Sequence, residues 1–250
     1  MLRRQDNALR HASFTSGYLL MGIVVFLAAY NWRKKLSVIP LGTSAFWLQL
    51  HIYAGFSAIV LFLAHVGLRI PNGVFETTLA SVFAIVAASG LYGLYLSRTI
   101  PQKLSQVSSE VVYERVPVLR RELAQSATQL AFDSVSVTHA TTVAEFYVAK
   151  LNGFFAQPRG IWYAAFPNSR RRRALMSELS HMERFFSEAE KKVSEKLFGL
   201  IRKKDDLDYQ FALQSKLKVW LFLHIGLTYT LLVLAGFHTV LVHAFHGGMR

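Results

Sequence analysis

Four histidines stand where a chain has least use for polar side chains. His51 and His65 bound the stretch HIYAGFSAIVLFLAH, and His224 and His238 bound HIGLTYTLLVLAGFH. In each stretch fourteen residues separate the two imidazoles, and nearly all the intervening side chains are apolar. Ionisable groups in apolar spans face an interior and a partner rather than lipid. A neutral imidazole is also a common metal ligand. Two imidazoles facing each other fill both axial positions of a haem iron, which suits electron transfer because no position is left for a substrate.

The spacing places each pair on one helix face. An α-helix turns about 100° per residue, so fourteen residues return within about 40° of the start and rise about 21 Å. Fourteen is also two heptads, and left-handed supercoiling removes most of the residual angle. The elements that carry the pairs belong to four apolar windows, 16–32, 46–68, 79–96 and 219–245, none of which contains an acidic or basic residue. Crossing a bilayer takes about 20 such residues. The first window follows Arg3, Arg4 and Arg10 and runs 17 residues into Trp32, Arg33, Lys34 and Lys35 without a small-x-small cleavage site. It is expected to be a retained span rather than a signal peptide.

The chain has 250 residues, 52% of them hydrophobic, and a formal net charge of +13. Bunched apolar residues with basic flanks make a membrane protein, and nucleic-acid binding is not expected. Cysteine is absent, which excludes disulfides, thiolate-held iron–sulfur clusters and covalent haem attachment from this chain. The fold class expected is all-α: an integral membrane four-helix bundle with a helical, water-exposed insert between spans three and four. The parts are spans one to three in 1–98, the insert in 99–217 and span four in 218–250. The insert holds 18 Lys/Arg and 13 Asp/Glu.

Within the insert, helices are predicted over 105–115 and 118–132, separated at Pro117, and over 142–157. An aromatic-rich link at 158–169 (Trp162, Tyr163, Phe166) precedes the run Arg170–Arg173. From 171 to 204, Leu175, Leu179, Met182, Phe186, Ala189, Val193, Leu197 and Leu200 recur at three- and four-residue steps, predicting one long amphipathic helix. Packing within the insert accounts for that stripe more simply than a docking face for another subunit.

With four spans, the insert shares a side with the 33–45 loop, and both chain ends share the other side with the 69–78 loop. The basic residues beside the membrane favour the insert side as cytoplasmic. Spans two and four then run parallel, so that His51 faces His224 at one level and His65 faces His238 at another. His243 lies about 100° around the helix from His224, and His246 about 33 Å along it; both are expected at the interface. His11, His139 and His181 lie outside the spans and read as ordinary polar residues. A zinc or iron ion is disfavoured, because the pairs are far apart and no span carries a carboxylate.

Two spans, each with a histidine pair at fourteen-residue spacing, as second and fourth of four, resemble the haem-bearing half of cytochrome b of the bc and b6f complexes. The wider group of dihaem membrane b-type cytochromes is similar. The resemblance covers the four spans. It implies two non-covalent b-type haems with bis-histidine ligation, one on His51 and His224 and one on His65 and His238. It also implies haem-facing glycines, for which Gly17, Gly22, Gly90 and Gly93 are candidates, although close helix packing explains them equally. The long insert, the missing Pro-Glu-Trp-Tyr motif and the inverted orientation depart from that family and favour a single-route electron conduit.

Haem propionates need cations: Lys35, Arg98 and Lys218 on the insert side and Arg69 on the other are candidates, each also explicable as a headgroup-facing flank. Trp47 and Trp220 are expected in the interfacial belt, walling the haem edge. The function expected is that of a dihaem subunit in a bacterial inner membrane. It would carry electrons between a quinone pool and redox subunits bearing iron–sulfur or c-type haem centres. The alternatives are a haem-free scaffold that recruits partners through its insert, and a transition-metal transporter.

Overall fold

The computed structural model describes residues 2–35, 42–67, 73–107, 111–138 and 141–246, and every regular element among them is helical. Three long helices come first: α1 (Leu2–Lys35), α2 (Ser44–Val66) and α3 (Val74–Leu104). The ends of α2 follow from local chemistry. Thr43 sits in extended backbone, and its hydroxyl accepts from the Phe46 N–H at 3.3 Å, an N-cap. Gly67 adopts φ 65°, the left-handed region, and its N–H donates to the Leu63 carbonyl at 3.0 Å, which closes the helix two residues after His65.

Shorter helices follow, α4 (Val116–Thr138), α5 (Thr142–Phe146), α6 (Asn152–Ala156), α7 (Ile161–Ala165) and α8 (Arg170–Met182), before the long α9 (Glu188–His246). With 59 residues, α9 is about 88 Å long at 1.5 Å per residue. Helices α2, α3 and α9 are long and apolar enough to cross a membrane, whereas the apolar part of α1, Phe14–Tyr30, is shorter.

The chain divides into two compact units, 1–97 with 219–250, and 98–218. In the first, Val24, Ala58, Phe83 and Leu231 are buried together, one side chain from each of α1, α2, α3 and α9. Phe62 stacks on Phe83 with centroids 4.1 Å apart, and Leu20, Ile23, Leu79, Val82 and Leu232 pack around them. Ala58 lies midway in sequence between His51 and His65, as Leu231 does between His224 and His238. A dry layer therefore separates the two histidine levels. The outward faces carry large apolar side chains such as Tyr53, Val60, Phe222 and Val233, a surface unusual for a protein in water.

The second unit has a conventional core. Leu175, Leu179, Phe186 and Leu197 of the amphipathic stripe are buried against Phe146, Leu151, Phe154 and Ile201, so the stripe packs inside the insert. The predicted single helix over 171–204 is two helices instead. A 3-10 turn, Glu183–Phe185, ends α8, and Ser187 caps α9 by a reciprocal box: Ser187 N–H donates to Glu190 Oε2 at 2.9 Å, and Glu190 N–H donates to Ser187 Oγ at 3.3 Å. The helix then continues far past 204. The predicted helix over 142–157 is interrupted by a π turn, Tyr147–Leu151. Of the expected 105–115 helix, 108–110 lie outside the described residues; 105–107 are a turn past the end of α3, and Tyr113–Arg115 form a 3-10 turn. Pro117 begins α4 rather than separating helices, because the first turn needs no intrahelical N–H donor.

Charge is also buried in this unit. The Asp208 carboxylate, fully buried, meets Arg120 (2.7 Å), Lys204 (2.6 Å) and Arg159 (3.3 Å), while Asp205 meets Arg159 and, at 3.4 Å, Arg172. Burial holds the Lys204 ammonium below its usual pKa while Asp208 pulls the other way. Removing one member of such a network leaves the others uncompensated and costs about 3–5 kcal/mol.

Candidate functional site

His51 and His224 share a cavity of about 340 Å³ in the first unit, bounded by the dry layer at Val24, Ala58, Phe83 and Leu231 and lined chiefly by apolar side chains. That volume falls within the range of small-molecule sites, about 300–1,000 Å³. The Tyr30 ring lies 4.8 Å from the His51 ring. On α9, Trp220 stacks on His224 at 5.5 Å and donates its indole N–H to the Ser89 carbonyl at 2.9 Å. The Ser89 hydroxyl lies 3.1 Å from His224 Nδ1. One residue of α3 thus holds two residues of α9, and Gly93 one turn on is what lets the indole lie there, since a Cβ at 93 would overlap it. With Nδ1 engaged, Nε2 is the ring nitrogen that could act as a ligand, the usual way a second hydrogen bond sets ring orientation.

His65 and His238 are outside that cavity. Ser16 Oγ lies 3.2 Å from His65 Nδ1, and the ring presses on Gly17, where a Cβ would come within 2.9 Å of His65 Cε1. His238 stacks on Phe75 at 6.2 Å and interacts electrostatically with His65 and with Glu76 in the first turn of α3. The two histidines of the second level therefore lie within electrostatic reach of each other. His243, expected at an interface, engages Tyr18: its Nδ1 donates to the Thr239 carbonyl at 2.7 Å, so Nε2 accepts from the Tyr18 hydroxyl.

The four cationic candidates fare differently. Lys218 donates to Glu114 at 2.6 Å and lies over the Tyr113 ring at 3.9 Å, and it holds the Glu114 carboxyl below the usual range. Acting on a propionate would require it to exchange that carboxylate. Arg98 is exposed on α3, and both residues belong to the second unit. Arg69 and the side chain of Lys35 lie outside the described residues, as do those of His11, His139 and His246. Of the glycines, Gly17 meets His65, Gly90 lies 3.7 Å by its Cβ direction from His224, Gly93 meets Trp220, and Gly22 has open space. Trp47 stacks on Phe26.

Among the described residues no group of three or more His, Asp or Glu could hold a metal ion; the donors come at most in pairs. Sequence reasoning missed Ser16, Ser89, Tyr30 and Glu76. The signal for Ser89 is a spacing: Ser89 and Gly93 are four apart on α3, as Trp220 and His224 are on α9, so a small polar pair faces an aromatic pair. Comparison of the chain with family models, with curated proteins and with solved structures gave no match.

Proposed function

We propose that the first unit is a four-helix membrane bundle binding two b-type haems, and that the protein is the electron-carrying subunit of a membrane oxidoreductase. The observation that carries this reading is the sharing of one apolar cavity by His51 and His224, repeated in sequence by His65 and His238 across a dry layer. A haem held by two imidazoles supplies reversible one-electron chemistry without an open coordination position. The chain's own residues would do the rest. His51 with His224, and His65 with His238, would present Nε2; Ser89 and Ser16 would hold Nδ1 of one ligand at each level. Apolar walls exclude water, and so limit the reorganisation that a change of charge would cause.

Electrons would pass between quinol and quinone in the membrane and iron–sulfur or c-type haem centres on partner subunits, because a cysteine-free chain carries neither. Basic flanks favour a bacterial inner membrane with the insert in the cytoplasm. The resemblance to dihaem cytochromes b rests on the paired histidine spacing.

The test is a haem count on the purified membrane protein. Pyridine haemochrome should give two haems per chain, with a reduced α-band at the b-type position. A folded but colourless protein would leave the haem-free scaffold, and stoichiometric zinc or iron without porphyrin would point to a transporter.

A further inference from the structure

The link between α6 and α8 carries two large aromatic side chains that its own packing leaves exposed. Trp162 and Phe166 are four residues apart on and just after α7, hence on one face, and are 80% and 73% exposed. The opposite side of the same turn is tied down. Tyr163 lies under the Arg159 guanidinium at 4.5 Å, and the Ala165 carbonyl accepts from Lys216 at 3.5 Å. Lys216 precedes by three residues Val219, from which α9 carries no Asp, Glu, Lys or Arg. The Lys216 hydrogen bond therefore ties this turn to α9 just before that stretch of its sequence begins.

Arginine follows at once. Of Arg170–Arg173, Arg172 turns inward to Asp205 and Asp206, and Arg171 lies 5.6 Å over the Phe154 ring yet stays exposed; Arg170 and Arg173 are exposed at the start of α8. Trp favours the headgroup layer, Trp and Phe anchor segments that lie on a membrane surface, and clustered cations beside it attract anionic lipid. We infer that Trp162 and Phe166, with Arg170, Arg171 and Arg173, form an interfacial anchor that seats the insert on anionic phospholipid headgroups. This rests on the membrane reading of α9 but not on haem. The charge of the arginine run and the tether at Lys216 favour lipid over a partner subunit as its occupant.

The absence of cysteine makes the test direct. Single variants Trp162→Cys and Phe166→Cys of the full chain, labelled with an environment-sensitive fluorophore, are placed in nanodiscs of equal phosphatidylcholine and phosphatidylglycerol. A share of the lipid carries a nitroxide in the headgroup region. Both labels should be blue-shifted and strongly quenched. A label at Phe185→Cys, which is 78% exposed but 31 residues of helix and turn before Lys216, should not be. Replacing Arg170, Arg171 and Arg173 together by Gln, or using phosphatidylcholine alone, should reduce the quenching severalfold.

A label at Val233→Cys reports whether α9 is inserted. If Val233 is quenched by acyl-chain nitroxide and positions 162 and 166 respond no more than 185, the anchor is overturned and the surface belongs to a partner subunit. If Val233 is not quenched, the membrane reading falls and the anchor with it. Quenching at 162 that ignores the triple Gln variant overturns the choice of anionic lipid.

Discussion

The two histidine levels of the first unit are related by sequence and differ in build. At the first, His51 and His224 open onto a cavity, with Tyr30 beside one ring and Trp220 stacked on the other. At the second, His65 is pressed against the backbone of α1 at Gly17, and His238 leans on Phe75 with Glu76 in reach. Each level has one serine on an imidazole, but Ser89 comes from α3 and grips α9, whereas Ser16 comes from α1 and grips α2. Equal spacing along two helices thus does not make equal sites. The flanking helices decide how much room each imidazole has and how hard it is held. Two haems so placed would differ in potential, because hydrogen bonding and burial around the ligands set it.

The largest effects test whether the levels are separate at all. His51→Ala and His224→Ala should each lower the haem count from two per chain to one and abolish the same spectral component. His65→Ala and His238→Ala should abolish the other. Loss of different components within a pair would show that the parallel arrangement of α2 and α9 is wrong.

Next comes Gly93→Ala, which acts on the first level alone. Its methyl group would occupy the place of the Trp220 indole, and the indole cannot bend away without giving up the Ser89 carbonyl. Overpacking of this kind costs about 1–3 kcal/mol. Thermal unfolding should come earlier, and the haem ligated by His224 should be the one lost on mild detergent treatment. Equal loss of both haems would mean that the dry layer does not insulate the levels.

Ser89→Ala and Ser16→Ala form a matched pair of intermediate size. Removing a hydrogen bond behind a ligating histidine costs about 10–100-fold in metal-site affinity or activity. Each variant should therefore shift the midpoint potential and weaken retention of one haem, a different one in each case, read by redox titration. The Ser89 carbonyl that accepts from Trp220 belongs to the backbone and survives the substitution. The expected change is thus confined to the ligand.

How much of this could be read beforehand depends on range along the chain. Helix is legible because apolar periodicity is local, and so is the end of α2 at Gly67. The break between α8 and α9 was also written locally, as Ser187 and Glu190 three residues apart, but a continuous apolar stripe across it masks the box. The buried charges could not be read: Arg120, Arg159, Arg172 and Asp208 come from distant segments, and each alone looks like a solvated residue. Among the site residues, the histidines announce themselves by type and spacing. The serines do not, because a hydroxyl is unremarkable in an apolar helix until the helix opposite is known. Lys218 shows the converse, since its position beside the span suggests a propionate partner, and its contact with Glu114, 104 residues away, is not legible locally.

The smallest effect is the sharpest comparison. Gly17 and Gly90 each lie beneath a candidate ligand, and resemblance alone makes them equivalent. Their surroundings do not. A Cβ at Gly90 would sit 3.7 Å from His224 Cε1, ordinary van der Waals contact, whereas one at Gly17 would sit 2.9 Å from His65 Cε1, closer than carbon atoms approach. Gly90→Ala should leave both haems, their spectra and their potentials unchanged, and the gain of a better helix former offsets any loss, at about 1 kcal/mol per Gly→Ala exchange in a helix. Gly17→Ala must push the His65 ring by a few tenths of an ångström against its Ser16 hydrogen bond, so one haem should shift in potential while the other stays fixed. If the two variants behave alike, His65 is not wedged against α1, and the asymmetry between the levels arises from the haems rather than from the helices.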